Sequence, residues 1–187
     1  MHAYVDCSNG VTTTALLHVF LQLSNNTNIR KFKIALGKKE KKHRTFSEVK
    51  KIISRSKFDS KTKLLAKKIF LNLAKAEAKV HKEKISTVKF HEVGRRSNIY
   101  RVLLLCSLLT HLKIKKFYCS KINVGSGKVK TSHGILSIPT PATKELLRGF
   151  KTFSKGKGEL VTPTSAAILK VFCKQLPIHS PNHSHQN

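Results

Sequence analysis

Between Leu65 and Val80 the apolar residues Leu65, Ile69, Leu73, Ala76 and Val80 recur at intervals of four, four, three and four. Successive helical residues turn by about 100°, so this set forms one stripe and commits the segment to a long amphipathic helix. Asp59 or Ser60 stands where its N-cap belongs. A helix with a single apolar stripe must bury it, so the flanking segments have to supply the rest of a core.

They do so in an α/β (α+β) pattern. Ala3-Tyr4-Val5, ending at Asp6, predicts a short buried strand, and Cys7 to Gly10 the loop that feeds a helix from about Thr13 to Leu23. Phe32, Ile34 and Leu36 alternate with Lys33 and Ala35 as a second strand that Gly37 ends. Thr45 and Glu48 have capping-box spacing ahead of Val49, Ile52 and Ile53, so a short helix starts there. Arg96 to His111 predicts a more buried helix, and Lys115 to Val124 a strand. Gly125, Gly127, Gly134 and Pro139 mark turns around a hairpin. Thr140-Pro141 and Thr162-Pro163 each place a capping hydroxyl before a proline at the first helical position, where its missing N–H costs nothing. The expectation is one compact domain over residues 1–175, a short sheet with several flanking helices. The His-, Pro- and Asn-rich residues 176–187 are expected to be a disordered tail.

Charge narrows the partners less than its size implies. The 37 basic and nine acidic residues leave a net charge of +28, which favours polyanions through neutralisation of phosphates. Seven of the basic residues are Arg and the rest Lys, spread over every predicted element. Lys is a hydrated point charge, whereas Arg carries bidentate phosphate and base recognition. Weak, non-specific nucleic-acid binding is therefore the expectation from charge alone. Cys7, Cys106, Cys119 and Cys173 form no Cys-x-x-Cys pair, which argues against a zinc ribbon or a thioredoxin-type motif and fits a reducing compartment. Asp6, Asn9 and the Thr12–Thr14 run interrupt any signal-peptide core, and the apolar stretch Val102–Leu109 is too short to span a bilayer. A cytoplasmic protein without a membrane anchor is expected.

Chemistry concentrates at a few strings. His91-Glu92-Val93-Gly94 lies between a β-like segment and a helix, and its imidazole and carboxylate can bind a metal, orient a ligand or move a proton. An isolated pair of this kind also serves capping and packing. The Thr140 and Thr162 helix starts, with Gly125-Ser126-Gly127 and Gly156-Lys157-Gly158, offer backbone N–H groups to an anion such as phosphate. No Gly-x-x-x-x-Gly-Lys-Ser/Thr string is present, so P-loop chemistry is not supported. His179, His183 and His185 in the tail can take up metal adventitiously.

Taken in order, these strings resemble the nickel-insertion proteins of nickel-pincer cofactor biosynthesis, in their N-terminal domain. The resemblance runs from Asp6-Cys7 and Gly10 through Leu73 to His81, Phe90-His91-Glu92-Val93-Gly94, Gly125-Ser126-Gly127, His133-Gly134, Pro139 to Thr143 and Gly158 to Thr164. It implies a lyase-type cyclometallase that uses CTP as co-substrate and inserts nickel into pyridinium-3,5-bisthiocarboxylic acid mononucleotide. It further implies His91 and Glu92 as catalytic residues, and these two with His43 as metal ligands. Gly125, Ser126, Gly127, His133, Thr140, Thr162 and Thr164 would hold the nucleotide. The domain associated with CTP is absent from residues 1–187, so a separate chain is the implied partner. Two alternatives stand beside this reading: a Lys-rich, non-catalytic nucleic-acid-binding protein and an inactive remnant.

Overall fold

In the computed structural model, which describes residues 2–24 and 43–175, the elements follow in the order β1 (His2–Val5), α1 (Thr13–Ser24), β2 (Arg44–Thr45), α2 (Phe46–Arg55) and α3 (Ser60–His81). β3 (Lys89–Phe90), α4 (Arg96–His111), β4 (Lys116–Cys119), β5 (Ile122–Asn123) and β6 (Gly125–Ser126) come next. The chain continues through β7 (Lys128–Thr131), β8 (Gly134–Ser137), α5 (Pro141–Leu146), β9 (Thr152–Phe153), β10 (Gly158–Glu159), α6 (Pro163–Phe172) and β11 (Cys173–Gln175). The architecture is α/β.

α3 is the striped helix. Asp59 caps it by accepting from Thr62 N, and its buried face carries Ile69, Phe70, Leu73 and Ala74 against α2, α4, α5 and α6. α2 starts with the expected capping box, in which Thr45 and Glu48 satisfy each other's backbone N–H groups. The core is mostly aliphatic, with Phe117 of β4 set against Phe20 of α1 and stacked on Phe172 of α6.

The main sheet is parallel, in the order β1-β4-β11, with Ala3 paired to Phe117 and Cys173 to the same residue from the other side. β11 is absent from the sequence reading, because three residues carry too little periodicity to signal a strand. Its pairing satisfies the free edge of β4. The strand expected over Lys115–Val124 is interrupted at Ser120-Lys121. β4 belongs to the three-stranded sheet, whereas β5 pairs in parallel with β9, so the chain passes from one ladder to the next there. β7 and β8 form the expected hairpin, with Lys128 opposite Ser137 and Thr131 opposite Gly134. The strand expected at Phe32–Leu36 and the tail at 176–187 lie outside the described residues.

The two Thr-Pro helix starts differ. Thr162 caps α6 in a reciprocal arrangement with Ser165. Thr140 makes no side-chain cap to α5, and its Oγ1 is paired instead with Thr143 Oγ1 at 3.0 Å. Both threonines at the α5 start are buried, and each hydroxyl finds its partner in the other.

Candidate functional site: a histidine-walled cleft

Four histidines from four different segments stand in series. The His43 and His91 rings meet edge to face with centroids 4.3 Å apart, His91 and His133 meet at 4.6 Å, and His133 and His81 at 4.8 Å. His81 closes α3, His43 precedes β2, His91 follows β3, and His133 occupies the β7–β8 turn. Each position is set by a local device. Gly134, with φ of +94°, lets the hairpin turn tightly, and Thr131 Oγ1 accepts from His133 N.

The turn that carries His91 is held from two sides. Arg44, buried in β2, donates from its guanidinium to the Gly94 carbonyl at 2.8 Å, and Asn98 donates to the Val93 carbonyl at 2.8 Å. The same Asn98 amide reaches Thr164 Oγ1 at 3.1 Å, which ties the His91 turn to the start of α6. A Cβ on Gly94 would lie 2.8 Å from Phe90 Cβ, so only glycine fits this packed turn.

His91, His133 and His81 line a cavity of about 190 Å³ together with Glu77, Glu92, Glu159, Thr140 and Pro163. Val80, Val93, Val129 and Leu136 give it an apolar side. The same three histidines also line an outer groove with Thr87 and Lys89. The imidazoles therefore form a wall that is reachable from both sides.

His91 Nδ1 is buried without a hydrogen-bond partner. Burial pushes the imidazole below its usual value, and the neighbouring His133, His43 and His81 push it the same way, against a smaller opposing pull from Glu92. A neutral imidazole with a free buried nitrogen is a donor atom for a borderline metal ion or an acceptor for a proton. Glu77 approaches His81 Nε2 at 3.5 Å, one helical turn away. Burial raises the Glu77 carboxyl above the usual carboxylate range, although His81 and His133 act to lower it. Burial raises Glu159 as well, and the nearby Glu92 charge adds to it. Among the described residues, no three His, Cys, Asp or Glu side chains are already gathered into a metal-holding group. An ion bound at this wall would draw its ligands together.

The structure thus brings His91, Glu92, His133 and Thr140 of the sequence-derived site residues to one cleft. His43 abuts His91 at its edge. Gly125-Ser126-Gly127 does not line the cleft: Gly125 and Ser126 pair with Glu159 and Gly158 instead. Thr162 is engaged as a cap, and Thr164 is buried against Asn98. Sequence reasoning assigned no role to Glu77, His81, Asn98 or Glu159. The spacing of Glu77 and His81 on one helix face was the available signal for these two; Glu159 lies inside the Gly158–Thr164 string without being singled out, and nothing local marks Asn98.

The family model described as nickel insertion protein matches residues 11–187. A putative nickel insertion protein of Dictyoglomus thermophilum is 35% identical over 204 residues, covering 93% of this chain and 53% of the relative. The pyridinium-3,5-bisthiocarboxylic acid mononucleotide nickel insertion protein of Desulfitobacterium hafniense is 41% identical over 134 residues, covering 71% of this chain and 33% of its own length. The protein of that name from Staphylococcus epidermidis is 33% identical over 194 residues, covering 89% and 49%. The chain spans about half or less of these relatives. No solved structure matches. No helix among the described residues is long and apolar enough to cross a membrane.

Proposed function

Because the chain belongs to the nickel insertion protein family, we propose that the histidine-walled cleft receives Ni²⁺ and presents it to a mononucleotide in nickel-pincer cofactor biosynthesis. Nickel is here a substrate, handed on rather than retained. The observation that carries the reading is the His91 imidazole, with a buried unpartnered Nδ1, beside His133 and His81 in one cavity. Imidazole suits nickel, and a wall of loosely gathered donors suits an ion that must leave again.

The roles follow from position. His91, His133 and His81 make first contact with the ion, with Glu92 and Glu159 as carboxylates that offset its charge. His43 sits at the edge of His91 and extends the row outward. The valines and Leu136 accept the flat ring of the mononucleotide, and Thr140 with the neighbouring helix start faces its polar end. The cavity is smaller than pockets that enclose whole drug-sized ligands, at roughly 300 Å³ and above. The ring enters it, and the remainder of the nucleotide extends beyond. CTP as co-substrate, a second chain that supplies the remaining domain and a cytoplasmic setting belong to the proposal through the family resemblance.

Calorimetric Ni²⁺ titration tests it on the wild type, His91→Ala, His133→Ala, and a variant with His179, His183 and His185 all changed to Ala. The expected result is a site lost or weakened at least about tenfold by either cleft substitution, a loss of about 1.4 kcal/mol, and retained when the tail histidines are removed. Binding that survives both cleft substitutions and vanishes with the tail histidines overturns the reading.

A further inference from the structure

A groove of about 460 Å³ is lined by the last turn of α3 and by α5 with the turn that follows it, and it meets the histidine cleft only at Val80 and Pro141. Its floor is apolar, made by Val80, Leu147 and Phe150. Gly149, with φ of +93°, and the bond from Phe150 N to Leu147 O at 2.9 Å fold the chain back so that Phe150 joins that floor. The rim is cationic. Lys79 comes from α3, Lys144 and Arg148 stand one helical turn apart, and Lys170 of α6 reaches across to donate to the Arg148 carbonyl at 2.7 Å.

We propose that this groove docks an acidic segment of a partner protein, with the partner's carboxylates on Lys79, Lys144 and Arg148 and an apolar side chain against Val80 and Phe150. The inference goes beyond nickel insertion and does not depend on it.

Charge complementarity chooses the occupant. Glu145 is the acid of the lining, and it does not oppose a second carboxylate: its Oε1 accepts from Lys79 Nζ at 2.8 Å, and its Oε2 is paired with Arg148 at 3.0 Å. Four cations thus stand against one carboxylate, and Arg148 and Lys79 keep exposed side chains, at 71% and 55%, that a partner can reach. An apolar floor beneath a charged rim is the anatomy of a protein interface, in which a buried anchor gives affinity and the rim gives orientation. The volume takes a few side chains of a docking segment, not a whole domain.

Two other occupants fit less well. A nucleic acid finds three lysines and one arginine whose fork is already turned to Glu145. The ring on which a base would stack has its face met by the Lys170 ammonium, 5.9 Å from the Phe150 centroid. A second copy of this chain would bring another net charge of +28 to a cationic rim.

Fluorescence anisotropy tests the assignment at about 0.15 M salt, where diffuse attraction is largely screened. The probes are a short labelled peptide of glutamate and leucine in amphipathic order, the same peptide with every leucine replaced by serine, and a labelled oligothymidylate. The proteins are the wild type, the double variant Lys144→Glu with Arg148→Glu, and the double variant Lys57→Glu with Lys61→Glu. The latter makes the same charge change at exposed positions by the start of α3, about 27 Å along the helix from Lys79. The glutamate–leucine peptide should bind the wild type, weaken about tenfold or more in the groove variant, and weaken far less in the remote one. The serine peptide should bind the wild type more weakly than the leucine peptide does. Equal losses in the two double variants would reduce the binding to overall charge and overturn the proposal. Equal affinity for the leucine and serine peptides would remove the apolar floor from it and overturn it too. Oligothymidylate bound more tightly than the peptide, and lost in the groove variant alone, would make the groove a nucleic-acid site instead.

Discussion

His91 and His133 meet edge to face, with ring centroids 4.6 Å apart and planes at 84°. One follows a two-residue strand and the other caps a hairpin, so only the tertiary fold brings them together. After burial, the charge His133 can carry is the largest cause that pushes the His91 imidazole below its usual value. NMR titration should therefore find the His91 ring protonating below the ordinary imidazole value. Nickel binding should persist to correspondingly lower pH before protonation removes the ligand. A His91 that titrates above the ordinary value sinks this account.

Linkage gives the stability consequence a definite sign. With the folded-state value of His91 depressed, the unfolded chain binds the proton more readily, and stability falls as pH drops through and below the ordinary imidazole range. His91→Gln should flatten that acid limb in urea unfolding curves. Glu77 works in the opposite sense: its raised folded value means that stability is fully present below the ordinary carboxylate value and declines as pH rises through the folded one. Glu77→Gln should remove that decline.

Salt should strengthen nickel binding at the histidine cleft. A chain of net charge +28 repels Ni²⁺, and added salt screens that repulsion. Nickel affinity should rise between about 0.02 and 0.3 M NaCl. A calorimetric affinity that falls over this range would contradict the account.

Gly94→Ala should destabilise the protein by about 1–3 kcal/mol, the usual cost of overpacking. Its Cβ would press on Phe90 Cβ at 2.8 Å and on Phe90 O at 3.0 Å. Because the Arg44 and Asn98 anchors flank this residue, the variant should also shift the His91 ring resonances. Denaturant unfolding and NMR spectra read the two effects separately, and a neutral substitution would show that the turn is not closely packed.

Asp59→Ala should cost about 1 kcal/mol at neutral pH by uncapping α3, whereas Asp59→Asn should cost much less, since Asn also caps. Hydrogen bonds from the Thr62 hydroxyl and backbone hold the Asp59 carboxyl below its usual range, so its contribution is present above the ordinary carboxylate value and lost as pH falls. Thermal melts at neutral and acid pH check the sign; an alanine variant as stable as the wild type at neutral pH would remove the cap from the account.

What the sequence determined by itself is what a few neighbouring residues can enforce. The stripe from Leu65 to Val80 made a helix because its spacing matches the helical turn. Thr45 with Glu48, Asp59 and Thr162 began helices because their side chains reach backbone N–H groups only three residues away. The His91-Glu92 string marked one wall of the cleft, and the ordered strings together marked the family. The tertiary structure alone decided that His81 and Glu159 complete that cleft, that Asn98 couples the His91 turn to α6, and that Gly125 and Ser126 serve as a strand partner for β10. Thr140 shows the division within one residue: its position before Pro141 was legible as a helix start, yet its hydroxyl turned to Thr143 once both were buried. Capping and periodicity are short-range and leave a pattern in the chain. A cleft gathers groups distant in sequence, and its geometry is set by the packing of α3, α5 and α6, where no local pattern records which side chains will meet.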